Sequence, residues 1–192
     1  MQSRTAFLAT ACALALSACG GDAPEASTEM PAPAAEATPA TAATPASAPA
    51  ATPAPASDKP AAVVADCATT IEGSDAMQFN VDSIAVPASC SEFTITLKHT
   101  GTMPVAAMGH NVVIVAMADM QSVAADGIGA GAAADYLKPG DARIIAHSKL
   151  VGGGETTSFS FPVDKLKQGG PYEFFCSFPG HSTLMKGAIT VE

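Results

Sequence analysis

The stretch Glu92-Phe93-Thr94-Ile95-Thr96-Leu97-Lys98 puts Phe93, Ile95 and Leu97 on one face and polar side chains on the other. Strict alternation of this kind marks a half-buried strand. Downstream, Thr157-Ser158-Phe159-Ser160-Phe161-Pro162-Val163 repeats it, with Phe159, Phe161 and Val163 on the apolar face. Asn111 to Met117 is instead a continuous apolar run rich in Val and Ile, and residues 172–176 and 187–191 read as further short strands. Gly152-Gly153-Gly154 and Gly169-Gly170-Pro171 punctuate them. Several short strands at this spacing predict an all-β fold, an antiparallel sandwich. The exception is 118–137, where Asp119 reads as a helix cap before a run of small residues, so one short helix is expected on an excursion between strands.

Upstream of this block the composition changes. Residues 20–62 hold 9 of the 15 prolines and 17 alanines, with no aromatic residue. Such a segment cannot bury enough apolar surface to offset its ordering entropy and is expected to be a disordered linker. Its repeats of Ala-Thr-Pro-Ala at 37–40, 43–46 and 51–54 are irregularly spaced, and at ~3.1 Å per residue it could reach up to ~130 Å when fully extended. Residues 1–18 read as a secretory leader, with Arg4 before an apolar stretch from Ala6 to Leu16 that is too short to span a bilayer. The leader ends in Leu16-Ser17-Ala18-Cys19, which resembles the lipobox of bacterial lipoproteins. That resemblance implies cleavage before Cys19 and acylation of it, palmitate included. Each buried methylene contributes ~0.8 kcal/mol, so several acyl chains anchor where one does not. The domain division is therefore 1–18 leader, 19–62 lipid-anchored linker and 63–192 globular domain. The chain of 192 residues carries 9 basic and 18 acidic residues, net −9, with no Lys/Arg cluster. That excludes nucleic acid as a partner, since phosphate binding needs a basic face.

Of the five cysteines, Cys12 leaves with the leader and Cys19 would carry lipid. Cys67 and Cys90 fall in the globular domain of an exported chain, where disulfides persist; if paired, they close a loop contributing roughly 3 kcal/mol. Cys176 is left over, and a metal is a reason for it. Phe175-Cys176-Ser177-Phe178-Pro179-Gly180-His181-Ser182-Thr183-Leu184-Met185 sets a thiolate, an imidazole and a thioether at Cys-x4-His-x3-Met spacing. A second imidazole is available in Met108-Gly109-His110-Asn111. Two His, one Cys and a weak Met are the ligand set of blue-copper sites: thiolate and thioether favour Cu(I), and imidazole suits both oxidation states.

These residues resemble those of the azurins, bacterial cupredoxins, over nearly all of 65–192. The likeness extends through Met77-Gln78-Phe79-Asn80, Ala118-Asp119-Met120-Gln121, Asp135-Tyr136-Leu137-Lys138-Pro139 and Ile145-Ala146-His147. With the lipobox and linker, the whole chain looks like a lipid-modified azurin. The resemblance implies an eight-stranded Greek-key β-sandwich with a helical flap and one type 1 copper near one end. It implies His110, Cys176 and His181 as equatorial ligands, Met185 as a long axial ligand and the Gly109 carbonyl as a weak opposite contact. Asn111 would tie the ligand loops together and donate towards the thiolate, with the Phe178 N–H as a second donor. Cys67 and Cys90 match the family's disulfide. The chain departs from many azurins in having no Trp; Val112 stands where one is expected. Met103, Ala107 and Ile128 occupy variable positions around the copper end.

The function this implies is one-electron transfer between envelope redox proteins such as c-type cytochromes or copper reductases, with no catalysis. His181 would lie at the surface end, ringed by an apolar docking patch of Met77, Met103, Met108, Phe178, Pro179 and Leu184. Exposed methionine suits adaptable, transient docking. A copper-buffering lipoprotein is the alternative, but the methionines are not clustered as Met-x-x-Met. His99 is expected near the copper end and His147 on the surface. Gly20 after Cys19, in place of the Asp that marks inner-membrane retention in many lipoproteins, points to the outer membrane, with the domain in the periplasm or at the cell surface.

Overall fold

The computed structural model describes residues 58–192; the leader, Cys19 and the linker up to residue 57 lie outside the described residues. Among the described residues, ten strands form two five-stranded sheets. The first contains β1 (Val64–Ala65), β2 (Ala68–Ser74), β3 (Gln78–Phe79), β5 (Glu92–His99) and β8 (Thr156–Pro162), in the order β1-β2-β5-β8 with β3 paired to β2. The second runs β4-β10-β9-β6-β7, from β4 (Ser83–Val86), β10 (Lys186–Val191), β9 (Tyr172–Phe175), β6 (Val113–Ala116) and β7 (Ile144–His147). The sandwich is mixed where an antiparallel one was expected: β2 lies parallel to β5 and β4 parallel to β10. Alternation reports which face is buried and not which strand is adjacent, so strand direction was not legible in it.

The alternating residues of β5 meet their counterparts across the core. Phe93, Ile95 and Leu97 pack with Ile71, Phe161, Ile84, Val112, Ile114, Phe174 and Ile189. Val112, at the position where Trp was expected, is fully buried there. The continuous run Val112–Val115 is explained by a second core on the outer side of the same sheet, where Val113, Val115 and Phe175 pack against Met120, Val123 and Leu137. Strands covered on both faces lose their alternation.

The two-residue strand β1 arises from a tight hairpin. Asp66 and Cys67 both have positive φ, 49° and 57°, as a type I′ turn requires. Ahead of it, Ala62 N–H donates to the Ser83 carbonyl at 2.8 Å, so residues 60–65 span from the edge of one sheet to the edge of the other. Cys67, in the turn itself, forms a disulfide with Cys90.

The excursion between β6 and β7 holds the longer of the two α-helices among the described residues. The helix α1 is a single turn, Val105–Met108, which the residue pattern did not announce, and α2 covers Met120–Ile128. Two 3-10 turns, Met117–Asp119 and Ala132–Ala134, flank α2. Asp119 does not cap it. The residue is itself right-handed helical (φ −95°, ψ −15°) with no side-chain cap hydrogen bond, because the preceding 3-10 turn feeds directly into the helix. Arg143 ties the excursion down, donating to Asp126, Ser122 and Asp141.

Candidate metal centre

Two loops at one end of the sandwich converge. His110 stands just before β6, paired with Val151 through two backbone hydrogen bonds of 2.9 Å. Cys176 follows β9, and His181 and Met185 lie on the loop leading to β10. All four side chains are buried, His181 being 3% exposed and the others 0%. The donor atoms of His110, Cys176 and His181 lie within 4.8 Å of one another, and Cys176 Sγ is 3.6 Å from His181 Nδ1. The loop closes on itself, with Met185 N–H donating to the His181 carbonyl at 2.8 Å and Cys176 N–H to the Met185 carbonyl at 3.0 Å. The terminal methyl of Met185 comes close to Gly73, on the same side as the His110 ring: a Cβ on Gly73 would sit 2.8 Å from His110 Cδ2 and 3.5 Å from Met185 Cε. Only glycine leaves room for that ring.

The donor set fits copper on an observation internal to the protein. His110 Nε2 faces the Ser74 carbonyl at 2.9 Å and Nδ1 faces the Gly109 carbonyl at 3.0 Å. A neutral imidazole carries one N–H and can satisfy one carbonyl. Protonation to satisfy both is opposed by burial, which pushes the His110 pKa down. With the N–H towards Ser74, the Nδ1 lone pair and the Gly109 oxygen are two acceptors side by side, an arrangement that a bound cation would relieve. Burial also lowers His181, to about 4, helped by the neighbouring His110 and His99. Both rings therefore offer lone pairs at neutral pH. The Cys176 thiol is pushed up to about 11 by burial, partly offset by the backbone N–H groups of Asn111 and Phe178, which stabilise its thiolate.

Around the donors a polar brace holds the loops. Asn111 Nδ2 donates to Ser177 Oγ at 2.8 Å and to the Asp135 carbonyl at 3.0 Å, and Ser177 N–H donates back to Asn111 Oδ1 at 2.9 Å. The Asn111 side chain thus ties the loops; its donation towards sulfur comes from the backbone and not from the amide. His99, fully buried, stacks on His110 with centroids 4.3 Å apart and planes 7° from parallel. His147 is exposed at the end of β7. His181 is more enclosed than a surface-end position implies, because Phe178 covers its ring at 4.5 Å.

Of the six residues expected in an apolar patch, Met103 (38%) and Leu184 (55%) are well exposed, while Met77, Met108, Phe178 and Pro179 are half-buried. Val105 and Ala107 are exposed on α1, and Val105 had no signal in the residue pattern because its helix has a single turn. Ile128 lines a groove of about 310 Å³ between α2 and the 177–183 loop. Residue reasoning also missed Gly73, the Ser74 carbonyl, Ser177 and Asp135. The position of Ser177 directly after Cys176 was the one cue available.

Comparison with known proteins also points to copper. The family described as copper binding proteins, plastocyanin/azurin family, matches residues 65–192. Azurin of Alcaligenes faecalis is 58% identical over 123 residues, covering 64% of this chain and 96% of that protein. Azurin of Pseudomonas aeruginosa is 52% identical over 130 residues, covering 68% and 88%. Outer membrane protein H.8 of Neisseria gonorrhoeae is 53% identical over 184 residues, 96% of each chain. A mixed β-sandwich with a buried His-Cys-His cluster at one end, matched along its whole domain by these sequences, belongs to the plastocyanin/azurin family of copper-binding proteins.

Proposed function

We propose that the chain is a single-electron carrier in which His110 Nδ1, Cys176 Sγ and His181 Nδ1 would hold one copper ion, with Met185 and the Gly109 carbonyl as weaker contacts to it. The observation that carries this is the burial of three donors within 4.8 Å of one another in a brace with no exposed member. Copper bound to such a set shuttles between Cu(I) and Cu(II) and so carries one electron. The rest is the work of the chain. Ser74 fixes the His110 tautomer, the Asn111–Ser177 hydrogen bonds hold the two loops at constant spacing, and burial excludes water. A site that keeps its shape reorganises little when its charge changes. The donor set leaves no open coordination position, which favours carriage over catalysis.

Met77, Met103, Met108, Phe178, Pro179 and Leu184, joined by Val105, form the surface over His181 on which redox partners such as c-type cytochromes or copper reductases dock. The leader and Cys19 place the chain on a membrane as an outer-membrane lipoprotein, a reading supported by the near-full-length likeness to outer membrane protein H.8.

The test is the visible spectrum of the copper-loaded chain. Cys176→Ser abolishes the intense thiolate-to-copper band, whereas Met185→Leu keeps it and shifts the reduction potential. A blue Cys176→Ser chain sinks the ligand assignment. Rapid transfer of copper to a metal-free acceptor, without reversible one-electron cycling, indicates buffering instead.

A further inference from the structure

We infer that Asp135, at the end of the helical excursion, is the positioning residue that holds the donor-bearing segments in register. This rests on the ligand reading above. Asp135 has left-handed backbone, φ 54° and ψ 27°, which Asp and Asn tolerate better than other non-glycine residues. Tyr136 follows in the same region, at φ 51°. The sharp turn aims the Asp135 carbonyl inward, where it accepts from Asn111 Nδ2 at 3.0 Å and from Ser177 Oγ at 2.8 Å. Those two residues directly follow His110 and Cys176.

The side chain works in another direction. Asp135 Oδ1 accepts the Leu150 N–H at 2.8 Å. Leu150 lies against Gly109, where an added Cβ would come within 2.9 Å of Leu150 Cδ2, and the next residue, Val151, pairs with His110. Tyr136 continues the hold towards the last ligand: its ring meets Phe178 edge-on at 5.2 Å, and Phe178 packs on His181 at 4.5 Å. Asp135 touches no donor atom. It acts through Asn111, Ser177 and Leu150, and so sets the distance between the His110 and Cys176 segments and the seat of the Gly109 carbonyl. The excursion that carries α2 thereby has a role at the metal centre beyond covering the outer face of a sheet.

The experiment compares full-length wild type with Asp135→Ala, Asp135→Gly, Asp135→Asn and, as a charge control, Asp164→Ala, whose side chain is 83% exposed. Outer residues that orient ligands typically account for about 10–100-fold in metal affinity. Asp135→Ala, which loses the acceptor and disfavours the turn, and Asp135→Gly, which loses only the acceptor, are expected to release copper to excess chelator about ten-fold faster. Both are expected to move the thiolate-to-copper band. Asp135→Asn keeps both features and is expected to match wild type, as is the control. Wild-type release and spectrum in both the Ala and Gly variants overturn the proposal, as does an Asn variant impaired as badly as Ala. Should the Ala and Gly variants fail to fold, hydrogen exchange on the metal-free wild type decides: the Leu150 N–H is expected to be protected alongside the Ser177 N–H, and rapid exchange at Leu150 defeats the clamp. A wild-type chain that takes up no copper defeats the ligand reading alone, because that exchange measurement needs no metal.

Discussion

Cys176 and the two imidazoles face opposite protonation demands, and burial sets both. Removing water penalises the charged form of each group, which lowers the pKa of His110 and His181 and pushes the Cys176 thiol up to about 11. At neutral pH the metal-free site thus holds two neutral rings ready to bind and one thiol that must lose its proton. Copper uptake is expected to release about one proton per ion, and affinity to rise about ten-fold per pH unit between pH 7 and 10. Proton release measured in weakly buffered solution checks this. Uptake with no proton released indicates that sulfur is not a ligand.

Elements matter here by what covers them. β6 and β9 are buried on both faces because α2 lies over the outer side of their sheet, and α2 is held by Arg143, which reaches Asp126 and Ser122 from the turn before β7. Hydrogen bonds and charge from Arg143 hold the Asp141 carboxyl down to about 2, against a usual 3.8. A carboxylate depressed in the folded chain contributes stability above its unfolded pKa, and that contribution is lost as pH falls through the folded one. Asp141→Asn is therefore expected to lower Tm at pH 7, with the gap to wild type closing between about pH 4 and about pH 2. Thermal melts across that range measure it, and a gap unchanged at pH 2 assigns the destabilisation to something other than the ion pair.

For the whole molecule, the centre and the proposed docking surface share one end of the sandwich. Met108→Lys places charge on that surface without touching a donor atom, so it is expected to slow electron exchange with a partner while leaving the visible spectrum nearly unchanged. Stopped-flow mixing with a cytochrome measures the rate, and an unaltered rate means that electrons leave by another face. Among the described residues no helix is long and apolar enough to cross a membrane; the attachment proposed above is through Cys19. Full-length chain is expected to sediment with membranes and take up lipid label, and Cys19→Ala to lose both or to retain its leader. Soluble, unlabelled wild type defeats the anchor and leaves the copper site standing, since that depends on the loops of the domain alone.

Side-chain chemistry and local periodicity are properties of the chain itself, so what depends on them was open to reading in the sequence. The inward faces of β5 and β8 follow from alternation, and the donor types of the candidate site follow from Cys-x4-His-x3-Met with an upstream His. The pairing of Cys67 with Cys90 came with the family likeness. Other features were decided only by tertiary structure, because they depend on residues far apart in sequence meeting across the fold. The parallel pairing of β2 with β5 is one. The stacking of His99 on His110 and the room that Gly73 leaves for the His110 ring are others. Asp135 shows the reason most clearly: the family likeness runs through Asp135–Pro139, but nothing in that stretch gives Asp135 a part at the metal centre. It gains its role because a left-handed turn brings its carbonyl to residues 24 and 42 positions away, and only the closed sandwich puts those residues within hydrogen-bond reach.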